Sequence, residues 1–207
     1  MAHSFAELND AELLRLMLAG DAGAFAALYE RRQAGVYRFA LRMSGSESLA
    51  EDVTQDVFLA LMRDGQQFDA ARGSLAAYLC GIARNRVLRL LARDKIFAPW
   101  QDERDEDESW ESNFAAPDDP LADLSRRETV AAVRQAILAL PLHYRELVVL
   151  CYLQEMTYED AARVTGCALG TVRSRLARGR AQLLEKLRAA RENEAPARLS
   201  LVTRLAL

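Results

Sequence analysis

The stretch "TYEDAARVTGCALGTVRSRLARGR", Thr157–Arg180, carries four arginines in its last eight positions, although the whole chain has 30 acidic side chains against 27 lysines and arginines. The positive charge is therefore local, and its setting decides the fold. Thr157 followed three residues later by Asp160 has the spacing of a capping box. It predicts a short helix running to about Val164. Gly166 supplies a tight turn, and a second helix starts near Thr171. A helix, a glycine-bearing turn and a further helix make a helix-turn-helix.

Angular arithmetic orients the second helix. At about 100° per residue, Val172, Leu176, Leu183 and Leu187 share one face, which is the face to bury. Ser174, Ala177 and Arg178 then point away, with Arg173 and Arg175 on the flanks. Such an outer surface suits the major groove of DNA. Arginine donates two hydrogen bonds to guanine, small residues let the helix approach closely, and flanking arginines hold phosphates. A solvated arginine-rich helix is the plain alternative.

Upstream, "LHYRELVVLCYLQ" predicts a helix after Pro141, whose missing N–H costs nothing at a helix start; "LVVLCYL" alone would also suit a buried strand. An amphipathic helix is expected over Leu124 to Leu140. Before it, Pro99, Pro117 and Pro120 bracket a joint in which "QDERDEDESWE", residues 101–111, holds seven acids and one arginine. Like charges repel, so this reads as a flexible linker of about two dozen residues. On its other side lies a block of four helices. Leu13, Leu14 and Met17 begin the first, and Asp21 is placed to cap the second. The third runs from about Ser48 to Arg63 and the fourth from Leu75. Past Ile82 its apolar stripe decays, because Arg86 and Arg89 fall near the face that had been apolar. Either the helix leaves the core there or that face meets a charged partner. The expected organisation is all-α: an N-terminal domain over 8–96, a linker over 97–120, a C-terminal helix-turn-helix domain over 121–190, and a tail over 191–207. The tail is expected to lack fixed structure, with an amphipathic docking segment as the other possibility.

Composition narrows the function classes. No apolar run is long enough to cross a bilayer, which points to a cytoplasmic protein that is not membrane-inserted. Cys80, Cys151 and Cys167 lie 71 and 16 residues apart and make no CxxC pair. Buried reduced thiols are expected, and neither metal nor cofactor is. With only His3 and His143, no GxSxG elbow, no glycine-rich phosphate loop and no HExxH, catalysis on a small-molecule substrate finds no support.

The segment "LPLHYRELVVLCYLQEMTYEDAARVTGCALGTVRSRLARGRAQLLEKL" resembles the C-terminal promoter-binding domain of extracytoplasmic-function (ECF) sigma factors of bacterial RNA polymerase. "GDAGAFAALYERRQAGVYRFALRMSGSESLAEDVTQDVFLALMR" and "FDAARGSLAAYLCGIARNRVLRLLAR" resemble their N-terminal domain, in the right order. The resemblance implies three surfaces. In "AEDVTQDVF", Asp52, Gln55, Asp56 and Phe58 would dock on core RNA polymerase. Phe68, Arg72, Tyr78, Asn85, Arg86 and Arg89 would read the minus-ten promoter element, capturing an unstacked base whose flipping costs a few kcal/mol. Thr171, Arg173, Ser174, Arg175 and Arg178 would read the minus-thirty-five element. An inhibitory anti-sigma partner is implied as well. Two departures stand out. Many relatives have tryptophan at Tyr78 and an aromatic residue at Cys80, so Tyr78 has a core role as its alternative. Gly179 replaces a common alanine, at a cost of roughly 0.5–1 kcal/mol of helix propensity. The rival function is a helix-turn-helix regulator that binds operators without polymerase, usually as a dimer. Such a protein has no need of "AEDVTQDVF".

Overall fold

The computed structural model describes residues 5–93 and 122–205, with side chains for 5–93 and 130–189. The acidic linker assigned to 97–120 lies outside the described residues. Every regular element among them is helical.

Each helix of the first block begins at a side-chain cap. For α1 (Asp10–Leu18) it is Asn9, whose side chain accepts from the Glu12 amide while Glu12 accepts from the Asn9 amide. This reciprocal box satisfies two otherwise unpaired donors. Asp21 caps α2 (Ala22–Ser44) through the amides of Gly23 and Ala24, at 2.8 and 3.1 Å. Ser46 caps α3 (Glu47–Asp64). At the start of α4 (Leu75–Arg93), the Ser74 hydroxyl accepts from the Ala77 amide. The "DGQQFDAARGS" loop between α3 and α4 holds two single 3₁₀ turns, Gly65–Gln67 and Ala70–Arg72. Leu13, Leu28, Phe39, Met43, Val53, Leu61 and Leu79 are fully buried where the four helices meet. Each such side chain contributes on the order of 1.5–3 kcal/mol.

The second block holds α5 (Ala122–Leu138), α6 (Leu142–Val148), α7 (Tyr158–Thr165) and α8 (Leu169–Leu205). Pro141 sits at the cap of α6 rather than at its first helical position. Past Val148 the backbone widens into a π turn over Val149–Leu153, so the "LVVLCYL" run is helical throughout. Thr157 caps α7 through the Asp160 amide at 3.1 Å. The capping box is only half made, because the Asp160 carboxylate turns to Arg163 instead. Gly166 ends α7 in the left-handed conformation at φ +71°. The tail departs from expectation: the backbone of α8 continues through Pro196 to Leu205.

The two blocks pack directly on one another and share one core, to which α2, α4, α6, α7 and α8 all contribute. Polar staples cross the seam. Arg145 of α6 donates to the Met43 carbonyl at 2.7 Å and also to the carbonyls of Leu138 and Leu140. Arg42 donates to the Leu153 carbonyl and the Gln154 amide group to the Gly35 carbonyl, both at 3.1 Å. Arg84 of α4 meets Glu146 of α6 at 2.7 Å, with Glu146 only 1% exposed. Burial pushes the Glu146 carboxyl above its usual range, and the Arg84 guanidinium opposes that shift.

Candidate nucleic-acid interface

On α8, Val172 and Leu176 are buried and Leu183 packs at the edge of the core, so the inward face matches the periodicity. The outward positions divide. Arg173 is exposed, while Thr171, Ser174, Arg175 and Arg178 are half-buried. The Ser174 hydroxyl donates to the Thr171 carbonyl at 3.2 Å. Arg175 faces inward enough to act on the charge of Glu146. Its flank of the helix therefore serves the Arg84–Glu146 site as well as the outer surface.

Gly179 now has a physical account. A Cβ there would lie 3.2 Å from both Tyr144 Cβ and Val148 Cγ2, atoms held close to the α6 backbone. Glycine lets α8 cross α6 closely, and the packing offsets its weak helix propensity. Sequence alone could not show this, because the contact joins residues more than thirty positions apart.

The second group gathers at the loop before α4. Phe68, Arg72, Tyr78 and Asn85 line one hollow of about 430 Å³, together with Gly73, Ser74, Ile82 and residues of α7. Phe68 and Tyr78 meet at a tilt of 55°, with ring centroids 5.5 Å apart. Burial, with the nearby charge of Asp64, raises the Tyr78 phenol above its ordinary value. Tyr78 is thus half-buried, packed against the core and lining the hollow. Arg86 and Arg89 stand apart from the hollow. Arg86 pairs with Asp56 of α3 at 3.5 Å, and Arg89 is exposed further along α4.

On α3, Asp52 and Gln55 are exposed and Asp56 is half-buried. Phe58 is corrected here: at 3% exposure it packs edge-on against Tyr29, with centroids 4.7 Å apart, and does not reach the surface. The residues that do are Leu59, 62% exposed, and Met62, 54% exposed. They continue the row of Asp52 and Gln55 at helical spacing. Sequence reasoning missed them because periodicity alone does not say which apolar residues of a helix are surplus to its core. The available signal was the doubled apolar register: Val57, Phe58, Ala60 and Leu61 already fill the inward face.

Cys80 is buried, with its thiol pushed up to about 12, and burial raises Cys151 to about 11; both are poor nucleophiles. Cys167 Sγ lies 3.1 Å from the Thr165 hydroxyl. Among the described residues no cluster of His, Cys, Asp or Glu is arranged to hold a metal ion, and no helix is long and apolar enough to cross a membrane.

Comparison with known proteins joins these surfaces. Residues 28–96 match the family described as Sigma-70 region 2, and residues 131–183 match Sigma-70, region 4. The chain is 36% identical over 186 residues to the ECF RNA polymerase sigma factor SigM of Mycobacterium tuberculosis, covering 87% of this chain and 86% of the relative. It is 34% identical over 153 residues to SigE of Mycolicibacterium smegmatis, covering 73% and 57% of the two chains. Among solved structures, CnrH in complex with the cytosolic domain of CnrY superposes with a TM-score of 0.64 at 26% identity, over 87% of this chain and 97% of that one. The fold is also that of the sigma factor RpoE from Bartonella quintana, at a TM-score of 0.59 and 24% identity over 79% and 96%.

Proposed function

Because this chain belongs to the ECF family of RNA polymerase sigma factors, we propose a division of labour among its three surfaces. As a member it binds core RNA polymerase, recognises promoter elements and promotes transcription initiation. It acts as a dissociable specificity subunit in the cytoplasm, with no chemistry of its own, and an anti-sigma partner holds it between signals.

Docking on core polymerase is the task of the exposed row on α3: Asp52 and Gln55, with Asp56 beside them and Leu59 and Met62 as apolar anchors. Charged and amide groups select a basic partner surface, while desolvated apolar side chains supply most of the affinity. Phe58 contributes only by holding α3 on Tyr29.

The minus-ten element is read at the hollow before α4. A flipped base needs an aromatic platform and edge hydrogen bonds to offset its unstacking. The Phe68–Tyr78 pair supplies the platform, and Asn85 and Arg72 supply donors on the same wall. That single grouping is the observation that carries this reading. Arg86 and Arg89 extend the positive face along α4 toward phosphates. The minus-thirty-five element is read by α8, with Arg173, Ser174 and Arg178 toward the bases and Thr171 and Arg175 on the backbone.

The test is run-off transcription with core polymerase on a promoter library. Addition of the chain should create new start sites. Asn85→Ala with Arg72→Ala should abolish strand opening, seen as loss of permanganate-reactive thymines, without loss of core association. Arg178→Ala should lower initiation only where a minus-thirty-five element is present. Unaltered opening with the first pair removes the hollow from the account. An operator binder would instead hold duplex DNA tightly without polymerase; the surface on α3 disfavours that reading.

A further inference from the structure

Where α5 meets the C-terminal end of α2, positive charge gathers with no carboxylate to answer it. Gly45 caps α2 in the left-handed conformation, and a Cβ built there would lie 2.9 Å from Leu138 Cδ1 of α5, so the two helices approach closely. Arg42 stands just before that contact on α2, with Arg38 one turn further back on the same face. Arg134 lies one turn before Leu138 on α5. Arg145 of α6 reaches the same junction through the carbonyls of Met43, Leu138 and Leu140.

Other arginines at helix contacts in this fold have an acid: Arg32 takes Asp10, Arg84 takes Glu146 and Arg86 takes Asp56. Among the described residues, none of the four at the α2–α5 junction joins a salt bridge. Arg42 and Arg145 are bonded to backbone carbonyls, which accept a hydrogen bond but leave the charge uncompensated. Burial, and then the charges of Arg38 and Arg134, hold the Arg42 guanidinium below its ordinary value. Burial does the same to Arg145, whose Nε is enclosed without a hydrogen-bond partner. Arg38 and Arg134 are exposed, so their donors face solvent.

We propose that the α2–α5 junction binds a compact oligophosphate, an anion of three or more charges held by Arg38 and Arg134 with Arg42 as the third donor. A guanidinium presents its N–H groups in a fixed fork that fits phosphate oxygens. Consecutive phosphates concentrate enough charge to match three neighbouring cations, whereas a monoanion leaves net repulsion among them. These arginines neither line the hollow before α4 nor belong to α8, so the site is separate from both surfaces assigned to promoter DNA. Arg38 and Arg42 come from the first block and Arg134 from the second, so the bound anion ties the two blocks together and stabilises the folded chain by mass action.

The experiment titrates the full chain with sodium triphosphate by isothermal calorimetry, at constant ionic strength set with chloride. A single saturable site should appear, and the thermal midpoint should rise by about 5 °C or more at about a hundredfold excess over Kd. Arg38→Gln with Arg134→Gln should weaken binding at least tenfold, with helix content by circular dichroism unchanged. Should that pair lose helix, the two single variants replace it, each with at least a threefold loss. Arg15→Gln with Arg93→Gln removes the same charge at other exposed positions and should stay within twofold of wild type. ATP carries the same phosphate chain on a nucleoside and should show the same dependence on Arg38 and Arg134. The site is overturned by the absence of saturable heat with triphosphate, or by an equal loss in both double variants, which marks general attraction of anions. A random-sequence 20-bp duplex DNA completes the set. If its affinity falls with Arg38 and Arg134 as steeply as that of triphosphate, the patch holds a nucleic-acid backbone and the oligophosphate assignment is lost.

Discussion

Glu146→Ala probes the seam at its most sensitive point. The Glu146 carboxylate is 1% exposed and its partner, the Arg84 side chain, is 14% exposed, so neither charge has ready recourse to water. Removing the carboxylate leaves a guanidinium in a low-dielectric site with its main acceptor gone, at a cost of about 3–5 kcal/mol. Against a total stability of about 5–15 kcal/mol for a domain, that is a large fraction. At about 2–4 °C per kcal/mol for a chain of this size, the midpoint should fall by about 6–20 °C. The companion variant, Arg84→Met with Glu146→Met, removes both charges and keeps apolar volume, and should lie within about 1–2 kcal/mol of wild type. Urea denaturation followed by both circular dichroism and a fluorescent label in each block measures the two values and shows whether the blocks unfold together. A single substitution costing under about 1 kcal/mol, or a double variant as unstable as the single one, would refute the assignment of Arg84–Glu146 as a desolvated cross-block pair.

Leu59→Ala with Met62→Ala should weaken core-polymerase association by tenfold or more in a pull-down titration while leaving the melting curve within about 0.5 kcal/mol, since both side chains already face solvent in the free chain. Gly179→Ala should destabilise by about 1 kcal/mol despite the better helix propensity of alanine, because a methyl group 3.2 Å from Tyr144 Cβ and Val148 Cγ2 forces α6 and α8 slightly apart where both contacts are fixed close to the backbone; a stabilised variant in urea melts would contradict that packing. The raised carboxyl of Glu146 sets a pH dependence: its stabilising contribution is complete below the unfolded-state value and is lost as pH rises through the folded one. Wild type should therefore lose stability relative to Glu146→Gln as pH rises from about 4 toward neutrality, read from paired melts across that range. Arg178→Ala, a change at the outer face of α8, should leave core association at the wild-type level in the same titration that detects the Leu59 and Met62 pair.

What the chain's residues determined by themselves was local. Asp21 before an apolar-periodic run, Thr157 three places ahead of Asp160, and Gly166 between two helical patterns each act within one or two turns, so helix starts and the helix-turn-helix are legible from spacing alone. Resemblance then supplied three surfaces in the right order, but not which side chains reach them. Phe58 and Leu59 are adjacent and both apolar; only the packing of α3 on Tyr29 of α2 decides that the first is buried and the second exposed. The same holds for Gly179, whose role appears only where α8 meets α6, and for Arg163, which the sequence places with the other basic residues of its segment and the tertiary fold sets against Gly73. Arg84 and Glu146 lie 62 positions apart, and nothing in the periodicity of either helix announces their pairing. Helix formation is governed by neighbours three and four residues away, whereas burial and charge pairing depend on distances across the folded chain, so only the assembled structure could reveal that the two helical blocks share one core.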